Sequence, residues 1–195
     1  MEPIDLAPAV RRMTDLITAV PDDQLTAPTP CTEATLGDLI DHVSTFSRAF
    51  AAAATKKTDD FGGRPSKADA ANLGPDWRTR IPQQLAGLAD AWSDPSAWSG
   101  MTKAGGLDLP GEVAGVIALD ELVVHGWDIA RASSQPYDCE PELVEAAIGF
   151  VKPIAEGGQP PREGLFKAPV AVPDDAPPLD RLIGLTGRDP AWSPG

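Results

Sequence analysis

The chain has 195 residues, 42% of them hydrophobic and 23% charged, which suits one soluble globular domain with a sizeable core. A net charge of −13 with scattered basic residues excludes a nucleic-acid reader, because phosphate binding needs a concentrated basic surface. No apolar run approaches the ~20 residues of a membrane span, and the amino terminus lacks a basic-then-apolar secretion signal, so the expected location is the cytoplasm.

In chain order, the first predicted helix carries Leu6, Val10, Met13, Ile17 and Val20 at gaps of four and three, with Asp5 as N-cap and Pro21-Asp22-Asp23 as terminator. A proline-rich connection, Ala27 to Cys31, leads to the second. There Thr35 followed by Asp38 forms an acidic capping box, and Leu39, Val43, Phe46 and Phe50 make the apolar stripe. Thr55 to Pro75 is polar, contains Gly62-Gly63 and Pro65, and reads as a long loop. Trp77, Ile81, Leu85, Leu88 and Trp92 mark a third helix, which Pro82 either kinks or delays. Ser93 to Pro110 reads as irregular.

Pro110 suits the first turn of a fourth helix, which lines up Ile117, Glu121, His125 and Asp128 and closes at Gln135-Pro136. A fifth begins near Pro141, with Val144, Ile148, Val151 and an interior Pro153. Beyond Glu156 come Gly157-Gly158, Pro160-Pro161, Pro173 and Pro177-Pro178, an extended tail with one short helix around Leu179 to Leu185. The only strand-like stretch, Pro169 to Val172, is too short to build on. Long amphipathic helices with long connections give an all-α bundle.

Glu121 and His125 stand four residues apart, so both side chains lie on one helix face, about a turn from each other. The other histidine, His42, borders the buried stripe of the second helix. Together they suggest a His42/Glu121/His125 metal site with coordination positions left open, the arrangement of a reactive centre. Asp128 is a candidate fourth ligand or a carboxylate that orients an imidazole. The bland alternative is a hydrogen-bonded core histidine, with Arg131 or Arg188 as partner to the buried Glu121. The two cysteines, Cys31 and Cys139, make neither a disulfide scaffold nor a Cys-x-x-Cys knuckle. Cys31 reads as a small packing residue, with a nucleophile as the alternative.

Four stretches carry a resemblance: Thr29-Pro-Cys31; Asp38-Leu-Ile-Asp-His42; Asp120-Glu-Leu-Val-Val-His-Gly-Trp-Asp-Ile-Ala130; and Val172 to Arg181 running on to Gly187-Arg-Asp-Pro190. They are similar to the DinB/YfiT-like superfamily of metal-binding four-helix bundles, in the branch of the actinobacterial mycothiol-dependent maleylpyruvate isomerases. The resemblance implies an up-down bundle over 1–156, with 157–195 as an extension packed on it, one domain overall. It also implies a divalent metal on His42, Glu121 and His125, most often Zn2+, with Ni2+, Fe2+ or Mn2+ as substitutes, and mycothiol as cosubstrate. Ala34 stands where the family usually has tryptophan, and Ser133-Ser134 where it has Thr-Gly. The isomerases carry a further C-terminal domain for which this sequence is too short, so the maleylpyruvate activity is not expected to transfer.

The leading expectation is a metal-dependent thiol S-transferase or isomerase acting on a small-molecule electrophile. The metal would lower the pKa of a thiol, with entry from the bundle end lined by Thr55–Pro75 and Ser93–Pro110. No separate catalytic base is named; Asp128 and Arg188 are read as bracing the site or the tail. The same ligands fit a metal-dependent hydrolase, or a non-haem iron oxygenase, against which the all-α fold counts. A third class is a non-catalytic metal- or small-molecule-binding module, or a homodimer fastened by the metal.

Overall fold

The computed structural model describes residues 2–59, 67–157 and 166–194. Gly62-Gly63 and Pro65 of the expected loop, and Gly158 and Pro160-Pro161 of the expected tail, lie outside them. Six α-helices carry the fold: α1 Ala7–Ala19, α2 Leu36–Ala54, α3 Trp77–Trp92, α4 Gly111–Ala132, α5 Pro141–Glu156 and α6 Pro178–Leu185. None of them is long and apolar enough to cross a membrane.

Start signals act as local chemistry requires. The N-cap of α1 is Leu6 rather than Asp5, which lies one residue earlier and whose Oδ1 still accepts the Ala7 N–H at 2.9 Å. At α2, Thr35 Oγ1 accepts the Asp38 N–H at 3.2 Å and Asp38 Oδ2 accepts the Thr35 N–H at 2.9 Å, a reciprocal capping box. The long loop is tied down over this turn. Asp38 Oδ1 accepts the Ala70 N–H, and Asp41 Oδ2 accepts the Asp69 N–H and the Asn72 amide. Pro82 lies inside α3, which starts at Trp77 and continues through it.

α1 and α2 each pack against α3 and α4; α5 lies on α4, and α6 on α5. Side-chain contacts fix the directions. Ser44 meets Arg80 and Gln84, and the Phe50 carbonyl accepts from Trp92 Nε1, so α2 and α3 run the same way. Arg78, at the start of α3, donates to the Val20 carbonyl just past α1, so these two oppose each other. Gln135, just past α4, donates to the Leu16 carbonyl, so α1 and α4 agree. The bundle therefore runs up, down, down, up. Two parallel neighbours require a connection as long as the helix, ~28 Å for nineteen residues, and that explains the length of the α2–α3 loop.

Ser93 to Pro110 is not irregular. It holds a 3-10 turn, Pro95–Trp98, and an antiparallel hairpin of β1 Met101–Ala104 with β2 Leu107–Pro110. Gly105 (φ 58°) and Gly106 (φ 80°) form its two-residue turn, a left-handed pair that glycine adopts without steric cost. Pro169 to Val172 is not a strand, although the Val170 N–H donates to the Gly184 carbonyl.

The hairpin and the tryptophans close one end of the bundle. Trp98 Nε1 donates to the Trp92 carbonyl at 2.9 Å, the two rings meet edge-on at 5.0 Å, and Thr102 Oγ1 donates to the Ala53 carbonyl at 2.6 Å. A Cβ at Gly115 would lie 2.5 Å from the Trp98 ring, so only glycine lets α4 come this close. At the opposite end of the bundle the chain after α6 turns back. The Gly187 N–H donates to the Gly184 carbonyl and the Arg188 N–H to that of Ile183, with Gly187 at φ 80°. This is a Schellman terminus, and it aims Arg188 at α4.

Candidate metal centre

His42, about two turns into α2, and Glu121 and His125, on the inward line of antiparallel α4, meet between the two helices. Glu121 Oε2 lies 3.0 Å from His42 Nε2 and 3.2 Å from His125 Nε2. The two imidazoles stand edge-to-face at 4.9 Å. One ligand atom from each of the three residues falls within 4.8 Å of the others, the one such group among the described residues.

Asp128 sits one turn beyond His125, fully buried, and its Oδ2 lies 2.9 Å from His125 Nδ1. Arg188 brackets the same carboxylate: its Nε lies 2.8 Å and 3.0 Å from the two oxygens and a terminal nitrogen donates to Oδ2 at 2.9 Å. Arg131, the other expected partner for Glu121, donates instead to the Pro190 carbonyl and lies over the Trp127 ring. Neither arginine meets Glu121; the imidazoles do.

The electrostatics follow. Burial would raise the Glu121 pKa, but hydrogen bonds from His125 and His42 hold it well below the usual carboxylate range. Burial would lower His125, yet its bonds to Asp128 and Glu121 push it up to about 10. For Asp128, burial is outweighed by Arg188 and His125, and the group stays ionised. Asp120 behaves oppositely. Burial, helped by the Glu121 charge, lifts it to about 7.

A cavity of about 370 Å³ opens over the triad. Cys31, Ala34, Asp38 and Leu39 line it from the start of α2 and the connection before it, Lys67 and Ala68 from the long loop, and Phe166 and Arg188 from the tail. Ser93–Pro110 does not line it. That segment closes the other end of the bundle, so the expectation that it borders the entrance is corrected to the tail, which folds back through α6. Asp120 also lines the cavity and is the residue sequence spacing missed: its carboxylate sits 5% exposed in a helix apolar on nearly every side. That burial of a charge was the available signal.

The donor set fits a divalent cation. Ligand atoms ~2.0–2.1 Å from one tetrahedral zinc lie ~3.3 Å from each other, close to the 3.0 Å and 3.2 Å separations here. Asp128 accepts from Nδ1 and so reserves His125 Nε2 for the centre. Three protein ligands beside a cavity leave room for one more, the pattern of reactive rather than closed structural sites.

The family described as mycothiol maleylpyruvate isomerase N-terminal domain matches residues 6–130. That stretch holds His42, Glu121, His125 and Asp128, and leaves out α5, α6 and Arg188. Two uncharacterized proteins of Mycobacterium tuberculosis, from strains CDC 1551 and H37Rv, are each 30% identical to the chain over 178 residues, covering 89% of it and 90% of their own length. Their similarity therefore reaches well past residue 130. No solved structure matches the chain.

Proposed function

This chain belongs to the mycothiol maleylpyruvate isomerase N-terminal domain family, and we propose that it is a zinc-dependent S-transferase or isomerase that uses a low-molecular-weight thiol of the mycothiol type. The observation that carries the reading is the convergence of His42 Nε2, Glu121 Oε2 and His125 Nε2 at the floor of a cavity with room for a small molecule. Ni2+, Fe2+ and Mn2+ suit the same nitrogen and oxygen donors.

A divalent cation held by His42, Glu121 and His125 would supply Lewis acidity that lowers the pKa of a nearby thiol, whose thiolate form would be the nucleophile. The chain's own residues do the rest. Glu121 supplies the negative charge, and Asp128, locked by Arg188, holds the His125 ring in one tautomer and one orientation. Leu39, Val124 and Phe166 form an apolar wall beside the charged groups, which lowers the local dielectric and strengthens the charge interactions next to it. The electrophile is a small molecule admitted beside the long loop and the tail, and the setting is the cytoplasm.

Elemental analysis of the purified protein beside His42→Ala tests the reading. About one equivalent of zinc in the parent and little in the variant supports it, and thiol-dependent conversion of electrophiles should disappear with the metal. Iron in place of zinc favours oxygen chemistry. A parent protein that takes up no metal even after reconstitution removes the proposal. Metal without any thiol-dependent turnover makes the protein a binding module.

A further inference from the structure

Among the carboxylates, imidazoles and guanidinium that line the cavity, nearly every one already has a partner. Asp38 spends one oxygen on the Thr35 N–H and the other on the Ala70 N–H. Glu121 faces two imidazoles. Arg188 is bound to Asp128 and the Thr186 carbonyl. Asp120 is the exception. Its side chain is 5% exposed and lines the cavity, and its Oδ1 is buried with no hydrogen-bond partner among the described residues. It lies one helical step from Glu121, and on the same line as Val124, which also faces the cavity. Oδ1 is itself enclosed, so an entering group meets this otherwise unpaired carboxylate at the edge that lines the cavity, where accepting a hydrogen bond would offset the cost of its burial.

Taking the thiol reading above as its basis, we propose that Asp120 is the specificity-determining residue of this cavity: it accepts a hydrogen bond from a hydroxyl or ammonium group carried a few atoms from the sulfur of the bound thiol. The site then selects thiols by a second group as well as by sulfur. A purely apolar thiol of the same size leaves the carboxylate unmatched, and such mismatches discriminate strongly because the site's own polar group goes unpaired.

Three thiols of nearly equal size test this: 2-mercaptoethanol, cysteamine and propane-1-thiol. Each is titrated into the cobalt-loaded protein, with binding read from the sulfur-to-cobalt charge-transfer absorption, and the series is repeated with Asp120→Leu and Asp120→Asn. The quantity that matters is the affinity of each donor thiol relative to propane-1-thiol. Comparing that ratio between parent and variant cancels differences in thiol acidity and metal strength. We expect the ratio to fall about five- to tenfold in Asp120→Leu, the usual scale for losing one hydrogen bond. Should Asp120→Leu fail to load cobalt, the cysteamine ratio in Asp120→Asn, which keeps shape and loses charge, carries the decision. Ratios equal in parent and variants overturn the assignment while leaving thiol binding in place. Absence of the absorption with all three thiols overturns the thiol reading itself, and the role of Asp120 with it.

Discussion

The two ends of the bundle are built on opposite terms. At one end Trp92, Trp98, Gly115 and the hairpin press α2, α3 and α4 together, with indole N–H groups satisfied by backbone carbonyls. At the other, α2 and α4 bury carboxylates and imidazoles around an open cavity. A close-packed end holds the relative position of α2 and α4, so that His42 can meet Glu121 across 79 residues of chain without the site having to hold the helices itself. Close aromatic packing is concentrated at one end and the buried titratable groups at the other.

The sharpest way to break that division is Trp92→Ala. Deleting a fully buried indole should cost about 3–5 kcal/mol of unfolding free energy in urea titrations. A loss below about 1 kcal/mol would mean that the aromatic end is not what anchors the bundle. Asp128→Asn tests the open end without touching a ligand. Metal affinity, measured by chelator competition, should fall about 10- to 100-fold, because the His125 ring loses the carboxylate that orients it. An unchanged affinity would show that helix geometry alone aims the imidazole.

Protonation sharpens the same contrast. His125 is held up to about 10, so at neutral pH in the metal-free protein it is an imidazolium, and metal must displace its Nε2 proton. Zinc affinity should therefore climb by about tenfold per pH unit between neutrality and pH 10 and then level off. Calorimetry in buffers of different ionisation heat should find a proton released per metal. The sign for folding is the reverse. A raised pKa stabilises the metal-free fold below the ordinary histidine value, and that contribution is lost as pH rises through 10. The smallest effect belongs to Thr35→Ala. Removing the cap at the start of α2 should cost about 1 kcal/mol in thermal or chemical denaturation, and cavity-side binding should change little.

Much of this was legible in the sequence because it is local. The 3.6-residue period marks the helices, Thr35 and Asp38 mark a start, and the spacing of Glu121 and His125 puts both on one face. The hairpin was hidden, since Met-Thr-Lys-Ala and Leu-Asp-Leu-Pro show little β-branched alternation and only Gly105-Gly106 signals the turn. The parallel course of α2 and α3 was hidden too, because periodicity fixes faces and not directions. Asp120, next to Glu121, carries no spacing signal of its own. Its role depends on which groups elsewhere are already paired, and that is a property of the assembled fold.

Arg188 follows Asp128 by sixty residues. At a synthesis rate of about 5–20 residues per second, roughly three to twelve seconds separate the appearance of the carboxylate from that of its guanidinium. During that interval Asp128 has no guanidinium to hold it, and the His125 ring has no settled carboxylate to lean on. The centre is therefore finished late in biogenesis, after the four helices are already made, and a nascent chain should capture metal poorly until the turn at Gly187 has formed.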